Sequence, residues 1–170
     1  RTIHYRTNAK VNPPLREESD IAALRAALRS GVIDAVATDH APHGQGDKEI
    51  EFDLAAAGLT MLETSFGLCM KLVHDGDIDL PTLIGRMTIG PVRAWGLDVR
   101  AGFDGLGTLA PGAPGDVAIL DPTAEWTVDP AAFASKGKNT PLAGRMLRGL
   151  VVATVFGGVL VHDTGRVVAL

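Results

Sequence analysis

This chain is poor in the residues that announce several classes of function. It holds a single cysteine, Cys69, among 170 residues, so no internal disulfide can form, and a reducing compartment fits. Aromatic residues make up 5% of the chain and the net charge is -4, with no Lys/Arg cluster to offset it, which argues against a nucleic-acid surface. The longest apolar run, Leu150 to Val161, is about a dozen residues and is broken by Gly157-Gly158, too short to span a bilayer. No serine sits in a nucleophile elbow, and no glycine-rich phosphate loop lies at a strand-to-helix turn; Gly102 to Gly107 reads as a connector. The chain starts at Arg1 without an apolar targeting segment, and is expected to be a piece of something longer, located in the cytoplasm. A complete eight-fold barrel takes about 250 residues, more than are present.

What is present has a clear order. Residues 1–16 lack periodicity and contain Pro13-Pro14, so they read as loop. Ile21, Leu24 and Leu28 then recur at helical spacing behind acidic Glu17, Glu18 and Asp20, and Gly31 is a natural stop. Val32 to Thr38 is expected to be a buried parallel strand that delivers Asp39 to the rim of a β/α layer. Residues 44–55 are polar and read as a loop long enough to act as a partial lid. A helix is predicted from Thr60 to Asp75, opened by a Thr60/Glu63 capping box and closed by Gly76. Further helices are predicted near Leu80-Pro81 and from Pro91 to Trp95.

Residues 98–116 hold five glycines and two prolines, a turn-rich connection that marks the expected boundary between units 1–98 and 99–170. Beyond it, Val117–Leu120, Glu125–Val128, Leu150–Phe156, Val159–His162 and Val167–Leu170 read as short strands, with Gly157-Gly158 as a hairpin turn. Pro130 to Leu142 reads as extended and polar. The expected layout is βα units followed by a small antiparallel β module.

Chemistry concentrates in Ala37-Thr38-Asp39-His40-Ala41-Pro42-His43. A carboxylate just past a buried strand can hold a cation or act as a general base, or it can merely cap a turn. His40 and His43 do not form a helical metal pair because Pro42 lies between them. His40 reads as structural or solvated, and His43 as a group able to meet an anionic substrate. Asn12 and Arg16 bracket the Pro-Pro turn, which can present an amide to a ligand or serve as a tight crossing. These residues alone leave a hydrolytic metal site incomplete.

Lys10-Val11-Asn12-Pro13-Pro14-Leu15-Arg16, and Ala37 to His43 with Lys48 and Glu49 after it, resemble the C-terminal part of bacterial dihydroorotases of the amidohydrolase superfamily. Gly90 to Ala94, Pro111-Gly112 before Asp116, and Lys136 to Pro141 extend the resemblance over nearly the whole chain. It implies an α/β fold: the C-terminal portion of a (β/α)8 TIM-type barrel plus a small antiparallel β domain. It also implies zinc-dependent, reversible hydrolysis of the cyclic amide of dihydroorotate to N-carbamoyl-aspartate in pyrimidine biosynthesis. By match, Asp39 binds zinc and carries the proton, while Asn12 and His43 hold the substrate. A Pro-Phe-Gly segment that often follows the lid in the family stands here as Ala56-Ala57-Gly58, with Ala57 and Gly58 as the backbone contacts to substrate.

The family's His-x-His-x-Arg strand and later histidine ligands are absent, so the remaining zinc ligands are expected upstream of Arg1 and the segment alone is expected to be inactive. Two alternatives accompany this expectation. One is a non-catalytic dihydroorotase-like subunit that scaffolds aspartate transcarbamoylase. The other is a related cyclic-amide hydrolase of hydantoinase or allantoinase type. A homodimer is a candidate assembly.

Overall fold

The computed structural model describes residues 5–166. Its elements run α1 (Glu18–Ser30), α2 (Gln45–Lys48), α3 (Ser65–His74), α4 (Leu80–Met87), α5 (Ile89–Ala94), β1 (Val117–Thr127), β2 (Met146–Phe156) and β3 (Val159–Asp163). The helix ends follow local chemistry. α1 stops at Gly31, whose φ of 85° is left-handed, and the glycine N–H caps the Ala27 carbonyl. α4 starts at Asp79, whose carboxylate accepts from the Thr82 N–H at 2.8 Å.

The sheet is antiparallel in the order β1-β2-β3. Two of the expected short strands, 117–120 and 125–128, are joined in β1. The β1–β2 register shifts between Asp121 and Glu125, where Pro122 cannot donate to the ladder and Asp121 Oδ1 instead accepts from the N–H groups of Thr123 and Ala124. Gly157 and Gly158, with φ of 56° and 77°, make the two-residue turn into β3. The run predicted at Val167–Leu170 lies outside the described residues.

α3 lies on β2, and two glycines set the separation. A Cβ on Gly67 would stand 2.9 Å from the Gly149 carbonyl, and one on Gly149 would stand 2.6 Å from Met70 Cγ. The core beneath joins Leu28, Phe66, Met70, Ile78 and Leu83 to Leu120 and Val151 of the sheet. A second cluster, Val128, Phe133 and Leu142, sits under Trp126 and Leu147.

Three expectations are corrected. Val32–Thr38 forms no strand among the described residues: Val32 is 77% exposed, and the only strand-like pairing nearby is one parallel bridge, His40 to Leu59. A strand is held by its neighbours' N–H and C=O groups; here the segment is anchored by the Val36 N–H on the Arg86 carbonyl and by Ile33 and Val36 against the core. The Thr60/Glu63 capping box is not made. Thr60 Oγ1 donates to Asn139 Oδ1 at 2.9 Å and Glu63 Oε1 accepts from the Ser135 N–H at 2.8 Å, so α3 is entered through a 3-10 turn at Leu62–Thr64. Finally, the lid is not structureless, because α2 lies within it and buries Lys48.

Candidate functional site

Three segments meet at the rim: residues 39–43, 56–60 and 135–140. Asp39 takes a left-handed φ of 43°, a conformation that Asp and Asn tolerate better than other side chains. Its side chain is exposed and makes no hydrogen bond or ion pair among the described residues. Asp39 thus presents an open carboxylate rather than one set just past a buried strand.

The two histidines diverge. Nδ1 of His40 accepts from the N–H groups of Met61 at 3.0 Å and Leu62 at 3.2 Å, and Nε2 lies 3.3 Å from Ser135 Oγ. With Nδ1 an acceptor, the proton of the neutral ring sits on Nε2; Nδ1 holds the start of the 3-10 turn and Nε2 meets Ser135. His43 Nε2 lies 3.2 Å from the Ala57 carbonyl and donates to it. That leaves Nδ1 of His43 without a partner among the described residues. His43 also borders a cavity of about 430 Å³ whose lining includes Asn8, Gln45, Lys48, Lys136 and Asn139.

Gly58 is buried, and its backbone is engaged within the chain. Its N–H donates to the Lys10 carbonyl at 3.0 Å, and its carbonyl accepts from Asn139 Nδ2 at 3.0 Å and Lys48 Nζ at 3.2 Å. Ala57 is exposed, and its N–H has no partner among the described residues, so it is the open donor of this pair. Asn12 is exposed as well; its loop is tied to Gly58 through Lys10. Arg16 turns away to an exposed ion pair with Asp20, 3.4 Å apart.

Sequence reasoning quoted Lys48 but missed its part. The residue is 2% exposed, and Nζ donates to the carbonyls of Ala56 at 2.7 Å, Gly58 at 3.2 Å and Lys10 at 3.4 Å. Burial, aided by the nearby Lys10 charge, lowers its pKa from the ordinary lysine value. Asn139 was missed too, because its partners lie far away along the chain. Cys69 sits at the edge of the core, and burial raises its thiol pKa, which makes it a poor nucleophile.

Residues 4–161 match the model of the amidohydrolase family. The chain belongs to the amidohydrolase family. Among curated relatives, a protein named dihydroorotase from Anaeromyxobacter sp. (strain K) is 49% identical over 162 residues, which is 95% of this chain and 36% of the relative. Another dihydroorotase, from Geotalea daltonii, is 48% identical over 93% of this chain and 36% of its own length. The L-hydantoinase (dihydropyrimidinase) of Arthrobacter aurescens superposes with a TM-score of 0.83 at 30% identity, over 97% of this chain and 37% of that one. A D-hydantoinase (dihydropyrimidinase) from Thermus sp. shares the fold, with a TM-score of 0.80 at 23% identity. The fold expected from sequence, the C-terminal portion of a (β/α)8 TIM-type barrel with a small antiparallel β domain, is thus the one this amidohydrolase chain has.

The amidohydrolase chain spans about a third of the length of those relatives, 36% for the two dihydroorotases. Zinc is four-coordinate in most protein sites. Among the described residues, no three His, Cys, Asp or Glu side chains converge. Asp39 offers an exposed carboxylate at the rim, and the described residues bring no such group of side chains together around it. No helix among the described residues is long and apolar enough to cross a membrane.

Proposed function

We propose that the full-length protein is a zinc-dependent dihydroorotase, which opens the ring amide of dihydroorotate to N-carbamoyl-aspartate, and that this chain builds one wall of its site. The observation that carries the reading is 49% identity to a dihydroorotase across 95% of the chain. The chemistry at the rim agrees with it. Zinc, when bound, polarises the ring carbonyl and lowers the pKa of water.

Asp39 would hold the metal through one carboxylate oxygen, and its carboxylate would take the proton of the attacking water and return it to the leaving ring nitrogen as the C–N bond breaks. A proton carrier of this kind must be open to the reacting atoms, and the Asp39 carboxylate is open. His43, steadied through Nε2 by the Ala57 carbonyl, turns Nδ1 to the substrate carboxylate and pairs with it when the ring is protonated. The Ala57 N–H and the Asn12 amide orient the ring by hydrogen bonds, and Gly58 lets His43 lie close. Such orientation lowers the barrier without contributing to the chemistry itself.

In this reading the units 1–98 and 99–170 are the end of the barrel and a small β domain, and the protein works in the cytoplasm in pyrimidine biosynthesis, as a homodimer or with aspartate transcarbamoylase. The 30% identity to an L-hydantoinase supports a second reading, a related cyclic-amide hydrolase. One experiment separates them: assay the zinc-loaded full-length protein on dihydroorotate, hydantoin and allantoin. Turnover of dihydroorotate is expected. Turnover of hydantoin or allantoin without dihydroorotate selects the second reading, and inactivity on all three favours the scaffold.

A further inference from the structure

We propose that Asn139 is a positioning residue that fixes His43 and Gly58 relative to one another. The inference rests on the reading of His43 and of Ala57, the neighbour of Gly58, as substrate contacts. Asn139 is 6% exposed and lies between the two segments that carry them. Its Oδ1 accepts from the His43 N–H at 2.9 Å and from Thr60 Oγ1 at 2.9 Å. Its Nδ2 donates to the Gly58 carbonyl at 3.0 Å, and to the Ala41 carbonyl at a long 3.5 Å. Its own carbonyl accepts from the Thr60 N–H at 2.9 Å.

A carboxamide suits this place for a definite reason. It presents two acceptor lone pairs on one end and two donor hydrogens on the other, and the site asks for both. The amide cannot be turned over, since that would set NH₂ against the His43 N–H. A leucine of similar volume would leave the His43 N–H and the Thr60 hydroxyl unpaired, and an aspartate would lose the donor to Gly58.

The surrounding chain presses Asn139 into position. A Cβ on Gly137 would collide with Pro42, so only glycine lets the 135–140 segment lie against the 40–43 loop. Ser135 adds its N–H to Glu63 and its hydroxyl to His40. The segment thus braces the rim from the β-rich end of the chain, and Asn139 is its contact with the substrate-facing residues.

The test uses the full-length protein. Asn139→Ala is expected to raise KM about tenfold or more while kcat stays within about threefold, because a misplacement near 1 Å costs up to about a hundredfold and Asp39 is untouched. Asn139→Asp keeps the acceptor contacts and is expected to fall between wild type and Asn139→Ala. On a His43→Ala background, Asn139→Ala is expected to change KM by less than about twofold, since coupled sites are non-additive. Leu83→Ala, a fully buried core change, serves as a destabilised control with normal KM.

The proposal is overturned if Asn139→Ala lowers the melting temperature and leaves KM alone, or if its effect on KM is the same with and without His43. Wild-type turnover reports on the functional reading separately; if a hydantoin is the substrate, the KM comparison is made on it. Hydrogen exchange needs neither substrate nor variant. The His43 amide should exchange at least about tenfold slower than the unpartnered Ala57 amide after correction for sequence, and equal rates sink the clamp even where Asn139→Ala does not fold.

Discussion

Gly58 and His43 are packed so closely that a methyl group on the glycine would sit 2.6 Å from Nε2 of the histidine and 2.7 Å from the Ala41 Cβ. The φ of Gly58, 153°, is also one that other residues rarely adopt. Gly58→Ala therefore pushes the His43 ring off the Ala57 carbonyl. In the full-length protein, on the function proposed for it, we expect KM to rise by roughly tenfold or more, with the zinc content unchanged. Steady-state kinetics with metal analysis checks both halves of this expectation.

Asp39→Asn isolates charge from backbone. Asparagine tolerates the left-handed φ of 43° as aspartate does, so folding should be preserved, whereas Asp39→Ala would add strain. The variant is expected to lose roughly a thousandfold or more in kcat, a general-base contribution together with a weakened metal ligand. Retention of both activity and zinc would remove Asp39 from the role assigned to it.

Lys48→Met removes the donors of a buried ammonium. The Gly58 and Lys10 carbonyls keep other partners, but the Ala56 carbonyl has none among the described residues. The expected loss of stability at pH 7 is about 1–2 kcal/mol, the cost of an orphaned carbonyl. The pH dependence has a definite sign. Because burial lowers the folded pKa below the ordinary value of 10.5, the unfolded chain holds more protons between the two values, and wild-type stability rises with pH across that window. Lys48→Met lacks this rise, so the gap between the proteins widens toward pH 10 in urea titrations.

The acid limb rests on three carboxylates, of which Asp75 and Asp79 are exposed and Asp121 is half-buried. Lys71 lowers the pKa of Asp75, the Thr82 side chain and N–H lower Asp79, and the Thr123 N–H and hydroxyl with the Ala124 N–H lower Asp121. Their stabilisation is complete above the ordinary carboxylate value of 3.8 and is lost as pH falls through the lowered folded values. Thermal midpoints should therefore hold down to about pH 5 and fall below pH 4. Asp79→Asn, which keeps an N-cap acceptor for the Thr82 N–H, should make that fall shallower.

What the sequence shows best is what neighbouring residues decide. Gly31 ends α1, Asp79 opens α4 and Gly157-Gly158 turns the hairpin, each through contacts within a few positions. Val32–Thr38 has the composition of a buried strand, but a ladder needs partners, and composition does not carry them. Thr60 and Glu63 have capping-box spacing, yet their hydrogen bonds go to residues 79 and 72 positions away. At the rim, the identities of Asp39 and His43 stand out in the sequence. The geometry around His43 does not, because Lys48 and Asn139 act through buried polar contacts that no local period marks.

The reach of Asn139 has a consequence for synthesis. Its bond to the His43 N–H spans 96 positions, so at roughly 5–20 residues per second the ribosome makes Asn139 about 5–20 s after His43. Throughout that interval the nascent rim lacks its brace, with the His43 N–H open to water, to chaperones and to proteases, and the Gly58 carbonyl held by Lys48 alone. A stall between residues 60 and 139 would leave a chain that carries residues 39–43 and 56–60 without the segment that braces them.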